Sequence, residues 1–181
     1  TGRGQEKDEL SADEYEWLLN RLYEISRQVD FDIKTTAAPH YRRVTLQRAK
    51  AEGVLKDVKR GGTIGFHVGQ DAIGRAAKGV NDGNGFVFIS HLGQIFPSGF
   101  LPISAGNVRK DSLAHVYRHS NLFTTLRDTN KLKGKCGLCE FKHIGGGSRA
   151  RAYATTGDYL EADPYCAYVP KRAHAIQGAV A

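Results

Sequence analysis

Lys133-Gly-Lys-Cys136-Gly-Leu-Cys139-Glu-Phe-Lys-His143-Ile-Gly145-Gly-Gly-Ser148-Arg-Ala-Arg-Ala-Tyr153 is the stretch on which the reading of this chain turns. Two thiols stand there at C-x2-C spacing, and a third, in Asp163-Pro-Tyr-Cys166-Ala-Tyr168, follows after 26 intervening residues. Such spacing lets two thiolates on one turn point at one centre, while backbone N–H groups of the turn bond to the sulfurs and stabilise negative charge. Gly137 lets that turn close without the steric cost of a side chain. Cys136, Cys139 and Cys166 are all the cysteines of the chain, and an odd number argues against a disulfide framework. Spacing alone leaves zinc, an iron–sulfur cluster and thiol redox chemistry open, beside the plain reading of three unligated thiols.

Charge works outward from the same stretch. Residues 131–151 hold six bases and one acid, whereas residues 1–30 hold eight acids and four bases. The positive charge therefore concentrates around the cysteines, within a chain of net charge +7. That balance favours anionic partners: nucleic acid, an anionic cofactor or acidic lipid. A thiolate-ligated cluster is itself negative, so the neighbouring Lys and Arg would offset it. No apolar run approaches the roughly 20 residues that cross a bilayer, and no membrane partner is expected. Thr1-Gly-Arg-Gly4 carries no apolar signal region, so a cytoplasmic, reducing location is expected. The chain contains no Met and starts at Thr1, which suggests a fragment or a processed chain.

Upstream, Ser11-Ala-Asp-Glu14 reads as a capping box, with Ser11 as N-cap and Glu14 reaching back. Tyr15, Leu18, Leu19, Leu22, Ile25 and Val29 then recur at helical spacing, predicting a helix over about 12–28. Phe31-Asp-Ile-Lys-Thr35 alternates and predicts a short strand. Pro39 is suited to open a second helix running to about Glu52. Helix, strand, helix is the rhythm of an α/β layer. Residues 53–85 contain nine glycines and read as a long connector. Phe86–Ser90 and Gln94–Phe96, joined through Leu92-Gly93, predict a β-hairpin. Two short helices are expected near 111–119 and 121–127, the second capped by Ser120. Beyond them the chain reads as basic, glycine-rich loop to its end.

The cysteine segment resembles the C-terminal cluster motif of radical SAM proteins with a SPASM- or twitch-type extension. That family carries C-x2-C-x5-C-G-G-S-R-A-R-A and a last Cys about twenty residues further on. Here the matching residues run Cys136, Cys139, Gly145-Gly-Gly-Ser-Arg-Ala-Arg-Ala152 and Cys166. Phe86-Val-Phe-Ile-Ser-His-Leu-Gly-Gln-Ile-Phe-Pro-Ser-Gly-Phe100-Leu-Pro looks like the hairpin that opens the extension. Ala105-Gly-Asn-Val-Arg109, then Ser112-Leu, is similar to the turn and helix that follow. Thr1 to Gly4, the Ser11 helix and Ile33–Arg43 look like the last part of a radical SAM barrel. Within the family the resemblance is to proteins related to heme- and peptide-modifying enzymes.

The resemblance implies an α/β architecture in three parts: the C-terminal end of a partial barrel at 1–52, the connector at 53–85, and a small α+β, SPASM-like extension at 86–181 with a β-hairpin and cysteine-rich loops. It implies that Cys136, Cys139 and Cys166 ligate an auxiliary iron–sulfur cluster, 4Fe-4S or 3Fe-4S, for substrate anchoring or electron transfer. Two departures matter. The C-x3-C-x2-C motif that holds the S-adenosylmethionine-cleaving cluster is not in this sequence, so this chain alone is not expected to start radical chemistry. S-adenosylmethionine then belongs to a full-length parent, with the N-terminal half as partner and a peptide or tetrapyrrole as substrate. The second departure is Gly145, which stands where the family has its third C-terminal Cys. His143 is the nearest alternative fourth ligand by sequence.

Other residues take blander readings. Asp158 and Asp163 are hard ligands better suited to capping turns. Gly145–Arg149 lacks the Lys-Ser/Thr ending and preceding strand of a phosphate loop. Arg149 and Arg151 are expected to pair with acids or with cluster charge, and no nucleic-acid module accompanies them. His40, Tyr41, Arg42 and Arg43 are read as helix capping and surface charge, with substrate contact as the alternative because a barrel gathers substrate-facing groups there. A zinc-binding or scaffold module is the second functional expectation, and a basic nucleic-acid-binding module the third.

Overall fold

The computed structural model describes residues 8–31, 33, 35–54, 62, 63, 66, 67 and 82–173. Helix α1 (Ala12–Ser26) begins as its capping box dictates. Glu14 N–H donates to Ser11 Oγ (3.2 Å), and Ser11 N–H donates to Glu14 Oε2 (2.8 Å). Helix α2 (Tyr41–Ala51) lies against it. Leu19 and Tyr23 of α1 bury against Tyr41 and Val44 of α2, with Leu22 and Ile33 beside them. Tyr23 Oη donates to Glu52 Oε2 (2.8 Å) and ties the far ends together.

The strand expected at 31–35 does not form among the described residues: Phe31, Ile33 and Thr35 are not in a strand, and Asp32 and Lys34 lie outside them. Alternation alone gives a strand nothing to pair with, and Ile33 instead covers the α1–α2 core. Pro39 precedes rather than opens α2, whose N-cap position is taken by His40. Thr1–Gly4 and most of 53–85 lie outside the described residues. In that stretch the backbone forms a two-residue ladder, β1 (Gly62–Thr63) against β2 (Phe66–His67).

The expected hairpin is present as β3 (Phe88–Ile89) and β4 (Gln94–Phe96), with Phe88 opposite Phe96 and Ile89 opposite Ile95. A third antiparallel strand, β5 (Gly106–Asn107), joins β4. Helices α3 (Leu113–His119) and α4 (Asn121–Arg127) are capped by Ser112 and Ser120, whose hydroxyls accept the N–H of His115 and Phe123. Ile95, Val116 and Phe123 form the core of this block. Residues 82–85 belong to it: Gly83 N–H donates to the Pro97 carbonyl (2.8 Å), and Ser98 bonds Asp82.

The tail is not loop alone. A one-turn helix α5 (Gly134–Leu138) carries Cys136, and α6 (Arg149–Thr156) starts at Ser148, whose hydroxyl accepts the Arg151 N–H. Short length hides both from periodicity, and α5 also holds two glycines among its five residues. Ala150 of α6 packs on Leu101 and Leu126, which seats the cysteine loops on the β3–α4 block. No helix among the described residues is long and apolar enough to cross a membrane.

Candidate metal centre

The first two thiols are set by backbone. Lys133 N–H donates to the Leu160 carbonyl (2.8 Å), and Gly137 N–H returns to the Lys133 carbonyl (3.0 Å), closing the turn that holds Cys136. A Cβ at Gly137 would strike the Leu132 carbonyl, so this close approach requires glycine. Gly147 is held at φ +70°, and a Cβ there would meet Asp163 Cβ at 2.8 Å and Cys136 Sγ at 3.1 Å. The glycines thus shape the floor beneath one sulfur.

Each sulfur receives an N–H donor. Asp163 N–H points at Cys136 Sγ (3.4 Å), as does Arg149 Nη2 (3.6 Å). Phe141 N–H points at Cys139 Sγ (3.4 Å), and the Tyr168 N–H serves Cys166. Such donors favour thiolate ligands. Burial nevertheless pushes the Cys139 and Cys166 thiols up, with the N–H bonds pulling the other way. Metal binding would therefore release protons from this site.

The three thiols, from two turns far apart in sequence, line one cavity together with His40, Arg43 and Gly145. Arg43 is buried, paired with Glu16 and bonded to Gln47 (2.7 Å), and its guanidinium stacks on Tyr168 at 4.8 Å. Its charge acts on Cys139 and Cys166. The donor set suits an iron–sulfur cluster: several thiols, a hydrogen-bond donor on each sulfur and a buried cation to offset negative charge. Among the described residues no three His, Cys, Asp or Glu side chains are gathered closely enough to hold one metal ion.

His143 departs from its expected place. It is exposed, its Nδ1 lies 3.0 Å from Thr129 Oγ1, and it borders a separate cavity on the outer side of Cys139. The turns after Cys139, Lys142 N–H to the Cys139 carbonyl and Gly145 N–H to the Phe141 carbonyl, carry it there. Asp158 and Asp163 cap turns, accepting the N–H of Leu160 (2.8 Å) and Tyr165 (3.1 Å). Asp163 is fully buried and its second oxygen accepts from Ser148 N–H (2.7 Å) and Arg151 Nη2 (3.1 Å). Arg149 is buried and donates to the Tyr159 (3.0 Å) and Glu161 (2.7 Å) carbonyls. Both arginines are thus used internally.

His40 is the residue that spacing undervalued. It sits at the N-cap position of α2 without capping it, and is 4% exposed. Neither ring nitrogen has a hydrogen-bond partner. Burial pushes its pKa down to about 4, so the ring is neutral at pH 7. The segment is pinned to the cysteine loop by Arg42, whose Nη1 donates to the Ile144 carbonyl (2.8 Å). No local signal links positions 40 and 144, so only the fold brings them together.

The chain is 45% identical over 170 residues to an AdoMet-dependent heme synthase of Methanosarcina barkeri, covering 94% of this chain and 46% of that protein. It is 41% identical over 174 residues to an AdoMet-dependent heme synthase of Nitratidesulfovibrio vulgaris, covering 95% of this chain and 45% of that protein. A PqqA peptide cyclase of Bradyrhizobium diazoefficiens is 36% identical over 94 residues, 49% of this chain and 25% of the cyclase. The chain spans about half the length of the heme synthases it matches. No family model matches it.

Proposed function

We propose, from the premise that this chain is related to the C-terminal part of radical SAM proteins, that Cys136, Cys139 and Cys166 hold an auxiliary iron–sulfur cluster. The observation that carries this reading is the convergence of all three thiols on one cavity, each sulfur met by an N–H donor. When bound, such a group supplies one-electron transfer or an iron open to an incoming ligand. The residues around it have simpler duties. Arg43 and Arg149 hold positive charge beside the sulfurs, and Tyr168 and Phe141 form an edge-to-face pair (5.4 Å) along the cavity that limits water. A single zinc ion would need thiolates about 3.8 Å apart, given Zn–S bonds of about 2.3 Å. Thiols lining the wall of a cavity suit a polynuclear centre, in which different irons take different sulfurs.

The names of the relatives point to a tetrapyrrole or peptide as substrate of a parent enzyme. S-adenosylmethionine cleavage would be the task of the N-terminal half of that parent, with residues 1–52 ending its barrel and 86–181 forming the extension. Exposed Trp17 (69%) and Phe31 (66%) support a surface that such a half would cover.

Anaerobic reconstitution with iron and sulfide tests the reading. The wild-type chain should gain visible charge-transfer absorbance and acid-labile sulfide, and Cys136→Ala should lose most of both. Equal iron and sulfide in wild type and the triple Cys→Ala variant would sink it, and stoichiometric zinc in a colourless protein would replace it.

A further inference from the structure

Three thiolates leave a four-iron cluster one ligand short, and the loop position that would supply a fourth holds glycine. Gly145 has no positive φ, so its backbone is open to any residue. A Cβ built there would lie 3.6 Å from the Pro39 carbonyl. The chain segment beside the vacant position is therefore Pro39-His40, delivered from the start of α2 and fixed by the Arg42 to Ile144 hydrogen bond. His40 lines the same cavity as Cys136, Cys139 and Cys166. Two unpartnered nitrogens on a ring with 4% exposure are costly, since a buried polar group without a partner forfeits its hydration. Across the ring, His40 Nδ1 faces Asp163 Oδ2 at 4.0 Å. The carboxylate is held by Ser148 and Arg151, and the Asp163 N–H already serves Cys136 Sγ. A carboxylate behind one imidazole nitrogen is the arrangement that orients a metal-ligating histidine.

We infer that His40 is the fourth ligand of the cluster, taking through Nε2 the iron left without a thiolate at Gly145. This deepens the cluster reading and rests on it. Ligation would give the orphaned nitrogen its partner, and Asp163 would hold Nδ1–H and fix the tautomer. It also sets the role of the centre. With Cys3His ligation no iron is open, so the site transfers electrons and does not anchor substrate. Imidazole in place of thiolate also removes one negative charge, which raises the reduction potential.

The test uses the full chain, reconstituted anaerobically and reduced, with pulsed EPR for nitrogen bound directly to iron. Wild type should show a strong nitrogen coupling that persists in His143→Ala and disappears in His40→Ala. His40→Ala should release iron to a chelator about tenfold faster or more, the low end of what a lost outer-shell partner costs a metal site. Its freed iron should bind added cyanide or imidazole, with a change in the EPR signal that wild type does not give. Gly145→Cys in the His40→Ala background should restore retention and remove the cyanide response, because the two positions serve the same iron. A wild-type cluster without direct nitrogen coupling would overturn the inference, as would loss of the coupling in His143→Ala. The wild-type spectrum needs no variant to fold. Failure of wild type to assemble any cluster would instead overturn the broader reading.

Discussion

The β3–α4 block and the cysteine loops are held by different forces. In the block, Ile95 and Phe123 are fully buried and Val116 nearly so, with Val87, Leu113 and Tyr117 packed around them. Its stability comes from apolar area removed from water. The loops at 132–147 and 160–168 bury Cys136, Gly145 and Asp163 and no large apolar side chain. Asp163 alone gathers Ser148, Arg151 and Tyr165, and Cys136 collects Asp163 N–H and the Arg149 guanidinium. Buried polar networks return little net free energy, because each group gives up its hydration first. On the cluster reading, the loops should take much of their order from the bound group, and the block should not.

The sharpest way to break that contrast is to remove apolar volume from the block. Phe123→Ala should cost about 3–5 kcal/mol, the usual range for a buried aromatic truncated to Ala. Denaturant unfolding followed by far-ultraviolet circular dichroism measures it. In the reconstituted protein the fraction that remains folded should keep an unaltered cluster spectrum. A cost below about 1 kcal/mol would mean that the block is not held by this core.

Removing iron from the reconstituted protein attacks the other side. With iron stripped by chelator, amides in 132–147 and 160–168 should exchange at least tenfold faster, a local loss of about 1.4 kcal/mol. Amides of β4, α3 and α4 should change little, and early proteolytic cuts should fall in the loops. Equal protection in stripped and reconstituted protein would show that the polar network stands unaided.

The same contrast explains what could be read from the sequence. Elements that rest on local rules were legible: the Ser11–Glu14 capping box, the Ser120 cap and the β3–β4 hairpin all lie where spacing puts them. The C-x2-C turn and the approach of Cys166 were legible because thiols are rare in the chain and their flanks are specific. Elements that rest on contacts distant in sequence were not. Helices α5 and α6 are short, and Ala150 seats α6 only because Leu101 and Leu126 are there to meet it. The strand expected at 31–35 had the right alternation and no partner among the described residues. His143 is near the cysteines in sequence and turned outward, while His40 is a hundred residues away and lines their cavity. Sequence distance does not tell which side chains share a cavity when a hydrogen bond, here Arg42 to the Ile144 carbonyl, folds one segment onto another.

A smaller perturbation asks whether the two kinds of region are coupled. Ser11→Ala removes the N-cap of α1 and should cost about 1 kcal/mol, since the Glu14 N–H loses its acceptor at the positive end of the helix. The loss should appear as faster exchange in the first turns of α1. From there one route leads to the cysteine loops. Tyr15, on the first turn of α1, stacks against Tyr165 at 5.9 Å, and the Arg151 guanidinium lies over both rings, 5.0 Å from Tyr15 and 5.5 Å from Tyr165. Arg151 also holds Asp163. If that stack transmits order, Ser11→Ala should speed exchange at Tyr165 and Cys166 as well as at Tyr15, by a smaller factor. If the loops take their order from the metal, reconstitution should abolish the effect at 165–166 while leaving it undiminished in α1. Equal effects on both segments with and without metal would merge the two regions into one cooperative unit, and the contrast between them would fall.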